Sequence, residues 1–185
     1  MIDKLKIEKA VRDILEAIGE DVSREGLVET PRRVANMYEE LFGGIGVDPK
    51  SCAKIFYEKD CQDIVIVKDI SFASMCEHHL LPFFGVANIV YIPKNNKIMG
   101  LSKFCRIVDV LSKRPQLQER LTFEISDAIY KTLKPAGLAV ILKATHTCMT
   151  IRGNKKVGSQ TVTSDFKGIL KTDESLISKA LTLLK

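Results

Sequence analysis

Ile7, Val11, Ile14 and Ile18 stand at i, i+4, i+7 and i+11, the spacing that lines apolar side chains along one stripe of an α-helix. The pattern predicts a helix over residues 3–18, stopped by Gly19. "ETPRRVANMYEELFGG" predicts a second, with Thr30 as N-cap, Pro31 as the first helical residue and Gly43-Gly44 as the exit. Val34, Met37, Tyr38 and Leu41 form its apolar face. The period then changes. In "DIVIVKDISFA", residues 63–73, Ile64, Ile66, Ile70 and Phe72 fall in one phase, as on a strand. "GVANIVYI", residues 85–92, predicts another strand, closed by Pro93 and the turn "KNN". "PQLQERLTFEISDAIYKTL" returns to the helical period with Leu117, Leu121, Ile125, Ala128 and Ile129, Pro115 near its start and "KPAG" beyond its end. "GLAVILKATHTCMTIR", residues 137–152, predicts a last long strand, and "DESLISKALTLL" a short final helix. Helices first, then strands interrupted by one long helix, predict an α+β fold with an antiparallel sheet rather than a doubly wound α/β fold.

Composition narrows this picture. A chain of 185 residues suits one domain with its own core, and 45% hydrophobic with 28% charged residues is ordinary for a globular protein. The net charge of +5 is too small and too scattered to argue for nucleic acid, but basic residues converging on one pocket would suit a small anion. The N-terminus has no apolar signal region, and no run approaches the roughly 20 apolar residues of a membrane span. Five cysteines at irregular spacing (52, 61, 76, 105 and 148) point to a reduced, cytoplasmic chain in which paired cysteines are metal ligands.

The candidate chemistry gathers in two short motifs. The chain has three histidines; His78 and His79 follow Cys76 in "SMCEHHLLPF", and His146 precedes Cys148 in "THTC". Alternation along the last strand would put Leu138, Val140, Leu142, Ala144, His146, Cys148, Thr150 and Arg152 on one face. Thiolate and imidazole donors favour zinc among cytosolic metals. Two cysteines and one histidine would leave an open position, with the other two histidines as acid and base; a structural zinc would instead want a second C-x-x-C, which is missing. Cys52, Cys61 and Cys105 are expected to be inert core. Two further stretches have two readings each. Ser102, Lys103 and Arg106 in "GLSKFCRIV" are a solvated surface or a phosphate clamp. Gln118 and Glu119 in "RPQLQER" are a solvated surface or, through the carboxylate, a match to the N1–H and exocyclic amine of guanine. Spacing alone favours the solvated surface for both.

"CEHHLLPFFG", "GLSKFCRIV", "RPQLQERLT" and "THTCMTIRG", in this order and joined by "ETPRRVANMY" and "SDFKGIL", closely resemble GTP cyclohydrolase I over essentially the chain from about Asp3. The resemblance implies that Cys76, His79 and Cys148 hold one zinc per subunit with water in the fourth place. It makes His78 and His146 catalytic without being ligands, His146 as the acid at purine N7 and His78 positioning water or relaying a proton. It assigns Glu119 with Gln118 to guanine, Ser102 to the ribose, and Lys103, Arg106, Arg152 and Arg33 to the triphosphate. The implied reaction opens the imidazole ring of GTP at C8, releases formate and recloses the product to 7,8-dihydroneopterin triphosphate, the entry to tetrahydrofolate or other pterin synthesis. The implied fold is the tunnelling α+β fold, with long helices packed on one face of the sheet. It assembles into a multi-subunit barrel, a homodecamer of two pentamers with active sites between subunits. Residues 1–185 would be one domain, with a helical part over 1–50 and an α+β catalytic part over 51–185. GTP is the expected partner, with no nucleic acid and no membrane.

Three competitors make different demands. The related nitrile reductase of queuosine synthesis uses a nucleophilic cysteine and no zinc, and the H-T-C motif argues against it. A zinc nucleobase deaminase needs H-x-E followed by P-C-x-x-C, and the second element does not occur. A zinc-stabilised binding module without activity would unfold on chelation. Glu77 stands beside these motifs without an assigned role.

Overall fold

Asp3 starts the first helix: its carboxylate accepts from the Lys6 N–H at 3.0 Å, and α1 runs over Lys4–Ala17. Ile18 caps the far end, followed by Gly19 in the left-handed region at φ +86°. A single turn, α2 (Glu25–Val28), leads into α3 (Thr30–Leu41). The start of α3 differs by one residue from expectation. Glu29 occupies the N-cap position, Thr30 is already helical, and the Thr30 hydroxyl turns back to the Gly26 carbonyl at 3.5 Å. Pro31 remains in the first turn, where a missing N–H costs no helical bond. α1 packs on α3, with Lys4 Nζ reaching Asn36 Oδ1 and Glu39. Ile7 and Val11 are half-buried, but Ile14 and Ile18 are exposed, so the predicted stripe is covered only over its first half. These helices make up an N-terminal unit; a computed structural model, which describes residues 2–61 and 63–184, separates it after Gly43 from a larger second unit.

The second unit contains β1 (Ile55–Tyr57), β2 (Val65–Cys76), β3 (Pro82–Ile92), β4 (Lys97–Met99), α4 (Leu101–Ser112), β5 (Pro115–Gln116) and α5 (Gln118–Leu133). It continues with β6 (Gly137–His146), the one-turn α6 (Thr147–Thr150), β7 (Thr161–Gly168) and α7 (Glu174–Leu183). β1 and β4 form a small ribbon, and the main sheet has the order β5-β2-β3-β6-β7. Its long pairings are antiparallel, while the two-residue β5 lies parallel to β2. This is the α+β arrangement that the hydrophobic pattern predicts. Asn95 and Asn96, at φ +55° and +58°, supply the left-handed pair of a tight turn that lets Lys94 bridge Lys97.

The phase of β2 departs from the simple alternation. Val67 faces Ile89 but Ile70 faces Ala87, so one extra residue is accommodated between them, with Asp69 at φ +56°. The Asp69 N–H, freed from the ladder, is taken up by Asn88 Oδ1 at 2.9 Å. A bulge reverses which face later residues present. Ile70, Phe72 and Cys76 therefore join the main core, while Ile64 and Ile66 pack on the opposite side against Val90, Ile92 and Leu170. The main core lies between the sheet and the pair α4–α5. Phe104, Ile107 and Leu111 of α4, and Leu121, Ile125, Ile129 and Leu133 of α5, meet Leu138, Val140, Leu142 and Ala144 of β6. The four β6 residues share one face as alternation predicts.

This topology decides where chemistry can gather. β3 runs antiparallel to both β2 and β6, and β5 runs parallel to β2, so β2, β5 and β6 all end at the same edge of the sheet. Cys76, Gln116 and His146 are their last residues. Close approach of β3 and β6 near that edge requires Gly85: a Cβ there would lie 1.9 Å from the Lys143 carbonyl oxygen and 2.6 Å from Ala144 Cα. Because the clash is with backbone, Gly85→Ala should lower the unfolding free energy by about 1–3 kcal/mol or more, measured by urea denaturation. An alanine variant as stable as the parent would contradict this packing.

Candidate active site

Cys76 is the last residue of β2, and the chain turns sharply after it. Its N–H donates to the Leu81 carbonyl at 2.8 Å, while its own carbonyl accepts from His79 and Leu80 at 3.2 and 2.8 Å. Leu80 takes φ +51° to complete the turn. Within it the rings of His78 and His79 are nearly perpendicular, at 87°, with centroids 6.1 Å apart. Both are exposed and line the pocket, but it is His79 whose Nδ1 lies 3.8 Å from Cys76 Sγ.

The second motif reaches the same place by a route that alternation does not predict. The strand expected over 137–152 ends at His146, and Thr147–Thr150 form one helical turn. The Thr147 hydroxyl donates to the Pro82 carbonyl at 2.6 Å and the Ile151 N–H closes on the Thr147 carbonyl at 3.0 Å, so the backbone leaves the ladder there. His146 and Cys148 meet at the site because a turn swings Cys148 round, not because they share a strand face. Cys76, His79 and Cys148 bring their donor atoms within 4.8 Å of one another. Two donors of one tetrahedral zinc, with Zn–S of about 2.3 Å and Zn–N of about 2.0 Å, lie roughly 3.5 Å apart. The residues fit such an ion. Their electrostatics fit it too: burial, and then the adjacent Cys76 sulfur, push the Cys148 thiol above its ordinary range, a penalty that a bound cation reverses.

The remaining groups surround this centre. His146 stacks on Phe83, with ring centroids 4.7 Å apart and planes 3° from parallel, and its enclosed Nδ1 has no hydrogen-bond partner among the described residues. Burial lowers its pKa from the ordinary imidazole value, and the carboxylate of Glu119 opposes that. Gln118 and Glu119 open α5. Gln118 is buried, and its Nε2 is committed to the Leu142 and Thr161 carbonyls and the Thr163 hydroxyl; its Oε1 has no partner among the described residues. Glu119 is exposed beside it. Cys76, His78, His79, Glu119, His146 and Cys148 all line one pocket of about 210 Å³. Arg152 Nη1 lies 3.4 Å from His79 Nε2 and 3.3 Å from the Cys148 carbonyl.

Not every sequence-predicted residue enters this pocket. Ser102, Lys103 and Arg106 do lie on a helix, α4, with Lys103 and Arg106 one turn apart, but none lines the pocket. Arg33 is an exposed residue of α3 in the N-terminal unit. Conversely, Phe83, Gln116 and Thr161 contribute to the site without having been singled out. Phe83 and Gln116 carried a signal, as parts of the "CEHHLLPFFG" and "RPQLQERLT" stretches, and Thr161 carried none. Cys52 and Cys105 pack against the core as expected of inert thiols.

Comparison with known proteins bears on what this constellation is. A family model described as GTP cyclohydrolase I matches residues 7–185. The chain is 60% identical over 184 residues to GTP cyclohydrolase 1 of Thermoanaerobacter pseudethanolicus, covering 100% of this chain and 98% of that one. It is 55% identical to GTP cyclohydrolase 1 of Acetivibrio thermocellus, with the same coverage. It is 52% identical to that of Listeria monocytogenes serotype 4b, covering 100% and 97%. Among solved structures, the archaeosine synthase QueF-Like in its apo form overlaps 60% of this chain and 97% of its own, at 14% identity and a TM-score of 0.42, a likeness too slight to carry function. A family model spanning nearly the whole chain, together with identities above one half at full length, establishes that the chain belongs to the GTP cyclohydrolase I family.

Proposed function

We propose that this chain performs the reaction of its family, opening the guanine imidazole ring of GTP and reclosing the product as 7,8-dihydroneopterin triphosphate, with the residues of the 210 Å³ pocket as its machinery. The observation that carries the assignment of roles is the grouping of three metal donors, two non-ligand histidines and a free carboxylate around one cavity. Cys76, His79 and Cys148 would hold zinc, which when bound acts as a Lewis acid and lowers the pKa of water toward about 7.

The protein groups do the rest. Glu119 accepts two hydrogen bonds from the N1–H and 2-amino group of guanine, which orients C8 toward the metal donors. His146, stacked on Phe83, delivers a proton to N7 as the C8–N bond weakens. His78, exposed on the same turn as the donors Cys76 and His79, positions water or relays its proton. A second hydration releases formate, after which the ribose opens, rearranges and is captured by the exocyclic nitrogens.

Ser102 is assigned to the ribose and Lys103, Arg106, Arg152 and Arg33 to the triphosphate, where guanidinium and ammonium groups give charge-assisted bonds. A pocket smaller than the roughly 300–1,000 Å³ of complete ligand sites, with Ser102, Lys103 and Arg106 outside it, supports a site completed by a second subunit, as in the homodecamer that the family resemblance implies. Both units belong to one catalytic domain on this reading, since one family model spans them. Five free cysteines suit a cytoplasmic enzyme, and among the described residues no helix is long and apolar enough to cross a membrane.

Two sets of variants test the roles. Cys148→Ala should lose both metal and turnover, while His146→Ala should keep its metal and lose kcat by about 10²–10⁴-fold; a zinc-replete Cys148→Ala enzyme of normal rate contradicts the ligand set. Glu119→Ala should lower kcat/KM for GTP by at least about 100-fold through two lost charged hydrogen bonds while its thermal unfolding stays close to the parent's. If that variant fails to fold, Glu119 has a structural role and the guanine assignment is wrong.

A further inference from the structure

Glu77 sits between the donor Cys76 and His78, and it is tied to the far wall of the pocket. Its carboxylate receives both Nη atoms of Arg120, Nη2 on Oε1 at 3.0 Å and Nη1 on Oε2 at 2.5 Å. Its backbone N–H donates to the Gln116 carbonyl at 3.1 Å, which extends the short pairing of β2 with β5 by one residue. Arg120 follows Glu119 in the first turn of α5. A cation in that turn opposes the helix macrodipole, so helix formation does not account for an arginine there. Neighbouring helical side chains point in different directions, and Arg120 turns to Glu77, while Glu119 has no salt-bridge partner among the described residues. The pair is part-exposed, with side-chain exposures of 43% for Arg120 and 28% for Glu77, so it adds little to global stability. A two-pronged guanidinium–carboxylate contact does, however, fix orientation as well as distance.

We infer that the Glu77–Arg120 pair is a positioning clamp, holding the turn that bears His78 and the donors Cys76 and His79 in register with the end of α5 that presents Glu119. The clamp sets C8 of a purine held by Glu119 at the correct distance from the hydrolytic groups, and it keeps the Arg120 charge off the Glu119 carboxylate. This rests on the role given to Glu119 in the proposed function.

The test uses the full chain loaded with zinc, as Glu77→Gln, Arg120→Gln, the double variant and Arg120→Lys. Each glutamine variant should retain its zinc and lose kcat by about 10- to 100-fold, with KM for GTP within about threefold of the parent. The double variant should be no worse than either single one, because both remove the same contact. Arg120→Lys, which keeps the charge but not the fork, should fall between parent and Arg120→Gln. Without nucleotide, amide exchange at residues 77–80 should rise about tenfold in the glutamine variants, with β3 and β6 unchanged. Parental kcat in Glu77→Gln, losses that multiply in the double variant, or unchanged exchange at the turn would each overturn the clamp. A parent enzyme that leaves GTP untouched would overturn the proposed function instead, and the exchange measurement would still decide whether the clamp exists.

Discussion

The pairing of β3 between β2 and β6 governs the arrangement of the second unit. Because β3 runs against both neighbours, β2 and β6 finish at the same edge, and the parallel stub β5 delivers the start of α5 there as well. Three segments distant in sequence thus surrender their backbone ladders side by side. Where these ladders end the chain turns tightly, after Cys76 and after His146, and the side chains that follow leave the alternation of the sheet. Gly85 permits the strands to close up behind this edge, and the α4–α5 layer backs them with a continuous apolar core.

The electrostatics of the edge are unfinished by the protein alone. Two thiols and an imidazole nitrogen crowd within 4.8 Å, and burial together with the neighbouring sulfur resists ionisation of Cys148. His146 is held flat on Phe83, with its enclosed nitrogen unpaired among the described residues and burial favouring its neutral form. Gln118 has spent its amide hydrogens on β6 and β7, which anchors α5 and leaves the neighbouring Glu119 carboxylate available. Such arrangements cost stability unless a ligand uses them, and the cation and purine of the proposed function would use them.

Much of this was legible in the sequence, and the parts that were not share a cause. Helices form over residues 4–17, 118–133 and 174–183, close to where the sequence predicts them, and β6 buries the four residues that alternation assigns. Alternation failed at two places where backbone geometry changes without a change of residue type. The bulge at Asp69 moved Ile64 and Ile66 to the opposite face from Ile70, and neither glycine nor proline marks it. The turn Thr147–Thr150 is β-branched at both ends and looks like strand; tertiary anchoring of Thr147 to Pro82 overrides that preference. Periodicity could not separate His79 from His78 as donor, because that depends on the turn's own hydrogen bonds. The Glu77–Arg120 contact joins residues 43 apart and leaves no local trace.

The most direct test of the central claim is to give the purified, zinc-loaded protein GTP and measure formate and an oxidised, fluorescent pterin in the same reaction. The account predicts that both form in equal amounts. Formate without pterin would contradict the complete reaction while leaving the hydrolytic centre standing, and neither product from a zinc-loaded protein would contradict the account as a whole.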